Sequence, residues 1–285
     1  MSRKPRQLGF TLPELAVTVG VMALLVGVGI PAIRVIMDSF ESGGPAKAMI
    51  SSALASARAV AAKEGRYAGV RFQKAYNPDA SDPLNPLSAP QYMVLIIHDP
   101  EREPSGTGLA NGFRAIEGCK PMKLPDSIGV MDLTLVSRSV SGSRVTITAE
   151  EPIDSDVEID ALEELRDTTT FSIIFSPSGR LVVHEVRVRN RNGIPDTAAR
   201  SGDTSGDDVF NKAAEVGAGG AMFYQDDYPA LGLGPEYSRR RFVIYDRAEF
   251  RRAFSAGRGW SDCLRALAGD AIYINPHTGT IIPKD

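Results

Sequence analysis

The chain has 285 residues, enough for one large domain or two small ones, and its 43% hydrophobic content excludes a disordered protein. Its 32 basic and 35 acidic residues give a net charge of −3. This excess of acid argues against binding of nucleic acid through overall charge. Binding through a local basic patch stays compatible with the composition.

The N-terminal region combines a basic leader with a long apolar run. The first nine residues contain Arg3, Lys4 and Arg6 and no acid, and the 19 residues from Leu15 to Ile33 carry no charge. As a helix, this run approaches the roughly 30 Å hydrocarbon thickness of a bilayer. A buried core helix is the alternative, but the basic leader and Arg34 favour a membrane helix with its N-terminus in the cytoplasm.

A glycine lies between the basic leader and the apolar run. In a secretory signal peptide the small residue of the cleavage site follows the apolar region, so the order here is reversed. Six residues resemble the type IV prepilin signature: Gly9, Phe10, Thr11, Leu12, Glu14 and Pro31. The resemblance implies that a peptidase cuts between Gly9 and Phe10, that the new amine of Phe10 is methylated, and that Pro31 kinks the helix. Pro13 departs from the family pattern, although a first helical turn tolerates proline.

Glu14 is an acid at the start of the apolar run. A carboxylate inside a membrane costs roughly 2.5 kcal/mol or more, so such a group usually has a partner. The amine freed on Phe10 can pair with Glu14 of its own chain or, as the resemblance implies, of a neighbouring subunit. The alternative is an interfacial residue at the headgroup boundary. We assign Glu14 to assembly.

The segment after the apolar run predicts a helix and a sheet. Gly43, Gly44 and Pro45 interrupt the first helix, and apolar residues at three-and-four spacing predict a second helix from Ala46 to Gly65. Period-two patterns predict strands at 67–73, 91–98, 128–135, 143–149, 171–175, 181–189, 240–245 and 271–282. The predicted fold is α+β, with a long N-terminal membrane helix of the pilin kind, then an amphipathic helix packed on a largely antiparallel β-sheet.

Four stretches resemble the GspH/FimT-like pseudopilins. The segment "ISSALASARAVAAKEGRYAGVRF" places Arg58 at the arginine position of that family, and "LPDSIGVM", "FSPSGRLVVHEVRV" and "IYINPHTGTII" resemble its later turns and strands. The resemblance implies three parts: a cytoplasmic leader at 1–9, a transmembrane helix and assembly segment at 10–42, and a periplasmic globular domain at 43–285. Residues 74–90, 99–118 and 190–238 look like insertions in that domain.

Neither a metal site nor a cofactor is predicted. The three histidines, His98, His184 and His277, form no close cluster with cysteine. If the domain lies in an oxidising compartment, a disulfide between Cys119 and Cys263 is permitted, but the sequence does not give the Cα separation that it requires.

The motifs favour a protein that is not an enzyme. "VHEVR" at 183–187 lacks the second histidine of a zinc protease and alternates like a strand, and neither a nucleophile turn nor a phosphate-binding loop occurs. His184 is interpreted as an inward-facing side chain with satisfied partners. The basic clusters at 187–191 and 239–241 are diluted by nearby acids, which indicates a solvated surface, so nucleic acid is not an expected partner.

We therefore predict a structural minor pseudopilin of a type II secretion or type IV pilus-like fibre, located as a single-pass inner-membrane protein with a periplasmic domain. The predicted partners are the prepilin peptidase/N-methyltransferase, other pseudopilins or pilins, the inner-membrane assembly platform and the membrane itself. Two alternatives stay open, a DNA-binding minor pilin of a competence system and a signal-anchored periplasmic enzyme.

Overall fold

The protein's structure is a computed structural model that describes residues 44–75, 86–99, 112–141, 144–153, 159, 161–189, 209–211, 223–226, 233–256, 263 and 271–282. The helices in these ranges are α1 (Gly44–Glu64), α2 (Leu162–Thr168) and α3 (Arg247–Ser255). The strands in the same ranges are β1 (Ala68–Lys74), β2 (Gln91–Asp99), β3 (Gly112–Ala115), β4 (Met122–Lys123), β5 (Ile128–Met131), β6 (Thr134–Ser141), β7 (Arg144–Pro152), β8 (Phe171–Phe175), β9 (Leu181–Val182), β10 (Glu185–Val186), β11 (Phe210–Asn211), β12 (Phe223–Tyr224), β13 (Glu236–Tyr237), β14 (Arg241–Asp246) and β15 (Ile272–Tyr273).

The largest sheet has the strand order β3-β2-β1-β8-β9, with β4 also paired to β2. All of its strand pairs are antiparallel. Side chains of a strand point alternately to the two faces of a sheet. On β1, Val70 and Phe72 therefore lie on one face and Arg71 lies on the other.

Helix α1 covers the first face of this sheet. Its buried residues recur at three-and-four spacing and include Ile50 and Leu54, which pack in one core cluster with Phe72, Ile173 and Phe175. The helix predicted from the apolar spacing is thus confirmed, beginning at Gly44 and ending before Gly65.

Segments that follow β9 cover the second face. Val94, Ile96 and Ile174 on this face pack against a set of fully or nearly fully buried residues from 186–223, namely Val186, Val188, Phe210 and Phe223. Residues 190–238, which were predicted to be an insertion, contain β11, β12 and β13, and the described parts of this range are mostly buried. The sheet is therefore buried on both faces.

A third core cluster lies around the smaller sheet β15-β14-β5. Met131 and Val243 from this sheet pack with Leu165 of α2 and Phe250 of α3. The Asp246 carboxylate accepts a hydrogen bond of 2.8 Å from the Glu249 backbone N–H and caps α3. Strands β6 and β7 form a separate antiparallel hairpin.

Two predictions are wrong. The described ranges hold fifteen strands and three helices, so they form a mainly β structure rather than the α+β fold with a long N-terminal membrane helix. No helix in these ranges is long and apolar enough to cross a membrane, which contradicts the predicted single-pass inner-membrane location. The longest of them, α1, packs against the sheet on one side only, and its other side carries exposed charged residues such as Lys47 and Lys63. The apolar run Leu15–Ile33 lies outside the described residues.

Arg58 joins α1 to two turns that are distant in sequence. Its Nε donates to the Gly179 carbonyl at 2.9 Å, in the hairpin between β8 and β9. Its Nη1 donates to the Thr278 carbonyl at 2.8 Å, in the turn after β15. Gly179 and Gly279 have positive φ values of 73° and 68°, which place their turns against the guanidinium. We call this arrangement the Arg58 junction.

Replacing Gly279 with alanine is expected to destabilise the fold. A Cβ at this position would lie 2.8 Å from the Phe175 ring and 3.2 Å from Arg58, in addition to the strain of a positive φ. Gly65→Ala is the matched control, because Gly65 has a similar φ of 63° and no atom within 4 Å of the added Cβ. Denaturant titration should give a loss of about 1–2 kcal/mol for Gly65→Ala and a clearly larger loss for Gly279→Ala. Equal losses would mean that the junction is not tightly packed.

Candidate protein-binding groove

The residues of the prepilin signature, Gly9, Phe10, Glu14 and Pro31, lie outside the described residues. Their predicted roles in cleavage, methylation, assembly and helix kinking stay predictions.

The two cysteines are both half-buried and are not joined by a disulfide. Cys119 lies in the turn after β3, where its N–H donates to the Ile116 carbonyl at 3.1 Å. Cys263 packs against the third core cluster, beside α2 and α3.

Two of the three histidines belong to a cluster of rings. The His98 and His184 ring centroids are 5.5 Å apart, and both rings contact Tyr67 and Phe113. Burial, and next the neighbouring His184, lower the pKa of His98. His184 Nδ1 lies 2.6 Å from the Glu185 carbonyl oxygen, which agrees with the satisfied side chain that was predicted. Within the described ranges, no group of three or more His, Cys, Asp or Glu residues is arranged to hold a metal ion.

A buried arginine lies at the centre of the second face of the main sheet. Arg71 on β1 is fully buried, and its Nη2 donates to Asp226 at 2.8 Å while its Nη1 donates to both Glu236 oxygens at 3.0 Å. Gln73 and Ser172 complete the cluster, since Gln73 accepts from Arg71 Nε and Ser172 donates to Glu236. Burial of one cation with two carboxylates leaves a negative excess.

A proton on the cluster can remove this excess. Burial raises the pKa of Asp226 to about 7, and the carboxylate of Glu236 adds to the rise, while Arg71 opposes it. Burial also raises the pKa of Asp132 and of Asp167, which pair with Arg239 and Arg138 respectively. One proton shared within the Arg71 cluster would make it neutral at mildly acidic pH.

An open groove of about 490 Å³ lies on the surface next to this buried cluster. It is bordered by the first residue of β6, by the end of β13, by the start of β14 and by the end of β15, so the ends of four strands meet around it. Three of its residues are large apolar or aromatic side chains with high exposure: Val183 at 51%, Tyr237 at 38% and Tyr273 at 48%. We call it the tyrosine–arginine groove.

Three consecutive arginines, Arg239 to Arg241, line the tyrosine–arginine groove. Arg239 is mostly buried and pairs with Asp132 and, at 2.8 Å, with Glu150. Arg240 and Arg241 are exposed. The groove therefore has carboxylates that are already paired with one guanidinium, and two exposed guanidinium groups beside tyrosine rings.

This chemistry suits binding better than catalysis. The carboxylates of Asp132 and Glu150 both pair with Arg239, and a nearby positive charge makes a carboxylate a weaker proton acceptor. The volume falls in the range of small-molecule pockets, roughly 300–1,000 Å³, but such pockets enclose their ligands and this groove is open. Exposed tyrosine and arginine are the residues that are enriched in protein interfaces.

The two basic clusters of the sequence differ in their surroundings. In the first cluster, Arg189 is fully buried and Arg187 pairs with Glu185 at 2.7 Å. In the second cluster, Arg240 and Arg241 face solvent. The predicted solvated surface is therefore wrong at Arg189, which is buried, whereas it is confirmed at Arg240 and Arg241, which supply the positive side of the tyrosine–arginine groove.

The sequence did not point to Val183, Tyr237 or Tyr273 as candidate binding residues. Tyr237 follows the buried Glu236 and precedes the buried Ser238, and this alternation over three residues is too short to be recognised as an exposed strand position. Tyr273 was placed within a predicted strand, and an alternating pattern there marks every second residue for one face without saying which face is exposed.

Comparison with known proteins adds no family to this description, because no family model, no curated protein and no solved structure matches the chain.

The Arg71 cluster predicts how stability depends on pH. Since folding raises the pKa of Asp226 to about 7, the native state holds a proton between about pH 4 and pH 7 that the unfolded chain has lost. The free energy of unfolding should therefore fall as the pH rises from about 4 to about 7, and it should level off above that. Arg71, Glu236 and Arg138 are the charged groups that act on this carboxyl, and the Val188 N–H also donates to it.

Asp226→Asn tests this prediction, because asparagine keeps the shape of the protonated acid. Denaturant titrations should show that the free energy of unfolding falls less between pH 5.5 and pH 8 in this variant than in the wild type. The two falls should differ by up to a few kcal/mol. Asp126→Asn is the control, since the Asp126 side chain is 74% exposed. The same pH dependence in Asp226→Asn and wild type would contradict the assignment of the proton.

Proposed function

We propose that the chain is a structural subunit of a pilin-like fibre, related to the minor pseudopilins, and that it acts by binding other proteins. In this proposal, a prepilin peptidase cuts between Gly9 and Phe10 and methylates the new N-terminus. Other pseudopilins or pilins are its neighbours in the fibre. Secretion and pilus machines both use such subunits, and the residues do not favour one over the other.

The Arg58 junction is the observation that supports this proposal most. Three of the stretches that resemble GspH/FimT-like pseudopilins are far apart in sequence, and the junction brings them into contact through Arg58, Gly179 and Thr278. The resemblance thus concerns residues that support one another physically, rather than separate short matches. Hydrogen bonds from Arg58 thus hold the helix to turns at two edges of the domain, which suits a structural subunit.

The proposed assembly contact is electrostatic. Cleavage before Phe10 would free a positive amine, and Glu14 would supply the matching carboxylate from a neighbouring subunit. An ion pair that is shielded from water is stronger than one on the surface, and loss of one partner leaves an uncompensated charge. Such a pair would set the register between subunits.

Processing of the N-terminus is the direct test. In a cell with a working prepilin peptidase, mass spectrometry of the mature chain should find methylated Phe10 as the first residue. Gly9→Leu should leave the precursor uncut, because a leucine side chain cannot occupy a site shaped for glycine. Recovery of the intact leader on the wild-type chain would refute the proposal.

Co-assembly provides the second readout of the same proposal. Glu14→Ala should be processed normally and should be lost from fibres purified with partner pseudopilins. Glu64→Ala is the control, since Glu64 is an exposed acid at the end of α1 that pairs with its neighbour Lys63. Equal incorporation of both variants would show that Glu14 has no part in assembly.

A further inference from the structure

We propose that the tyrosine–arginine groove binds an acidic, extended peptide segment of a partner protein. This inference rests on the proposed protein-binding role, and it assigns to that role a surface and the chemistry of its partner.

The apolar part of the groove supplies the contact area. Val183, Tyr237 and Tyr273 are three of the large hydrophobic side chains that the described part of the chain exposes, and all three line this one groove. Single exposed apolar residues are common on protein surfaces, whereas several in one concave place mark a binding surface. Tyrosine also loses little conformational entropy on binding, because it has only two rotatable side-chain bonds.

The charges of the groove select the sign of the partner. Arg239 offsets one of the two negative charges of Asp132 and Glu150, and the two exposed guanidinium groups of Arg240 and Arg241 leave the groove with a net positive charge. Arginine binds a carboxylate through two parallel hydrogen bonds, and this geometry favours Asp or Glu side chains on the partner.

The shape of the groove favours an extended segment. The groove is open and lies among strand ends, at Thr134 of β6, Tyr237 of β13, Arg241 of β14 and Tyr273 of β15. An extended chain presents alternate side chains to opposite sides. Acidic residues of such a segment can therefore face the arginines while its apolar residues face the tyrosine rings.

Nucleic acid fits this groove less well. Proteins that bind nucleic acid through its phosphates commonly make several such contacts, about six to ten in duplex complexes. The groove offers two exposed arginines, Arg240 and Arg241, which is fewer than such contacts require.

The test measures binding of a defined probe to the whole chain. The probe is a fluorescein-labelled peptide that alternates Glu and Val, and fluorescence anisotropy gives its Kd at low and at moderate salt. The double variant R240E/R241E should weaken binding at least tenfold, and Tyr273→Ser should weaken it severalfold. R251E/R252E is the matched control, because Arg251 and Arg252 are an exposed pair of arginines on α3 outside the groove, and it should leave the Kd unchanged.

Circular dichroism melting must first establish that each variant is folded like the wild type. Equal affinity for a peptide that alternates Lys and Val would overturn the inference, as would an unchanged Kd in R240E/R241E. Tighter binding of oligothymidylate than of the acidic peptide would overturn it in favour of nucleic acid. These results are independent of N-terminal processing, so failure of the groove and failure of the proposed fibre role can be distinguished.

Discussion

The buried guanidinium of Arg71 is the constraint on which the rest of the structure depends. It points away from α1, to the face of the main sheet that would otherwise need only apolar cover, and it is fully buried there. A buried cation without a partner costs several kcal/mol, so the segment that covers this face must bring carboxylates to it. Asp226 and Glu236 do so, and the segment that carries them is held on the sheet by charge as well as by the packing of Phe210 and Phe223.

The same pairing positions the tyrosine–arginine groove. Glu236 is fixed inward by Arg71 and Ser172, and strand alternation then turns Tyr237 outward and Ser238 inward. Ser238 is held in turn, because its hydroxyl donates to the Val182 carbonyl at 2.8 Å. The backbone at Tyr237 is therefore held by its neighbours on both sides. Because that backbone is already fixed, binding of a partner to the exposed ring costs little conformational freedom. The surface is preorganised by the buried charges beneath it.

The sequence predicted the elements whose apolar pattern is long, and it missed several short ones. Helix α1 and strands β1, β2 and β8 were recognised because each repeats its apolar spacing over five residues or more. Strands β11, β12 and β13 have two residues each, and Asp226 and Glu236 resemble solvated loop acids unless their partner Arg71 is known. That partner is 155 residues away from Asp226 in sequence, so no local pattern could identify it. The fold class was wrong because the apolar N-terminal run was given more weight than the many short strands.

The groove illustrates why net charge and local charge must be kept apart. The chain is acidic overall, yet the three arginines of the groove outnumber its two carboxylates, and Arg240 and Arg241 are exposed. At physiological salt, charges separated by more than about 8 Å are largely screened. The acidic remainder of the surface therefore does little to repel an acidic segment that has reached the groove. Salt also weakens the attraction between the exposed arginines and an acidic segment. The tyrosine rings must therefore supply the apolar contact that keeps the segment bound.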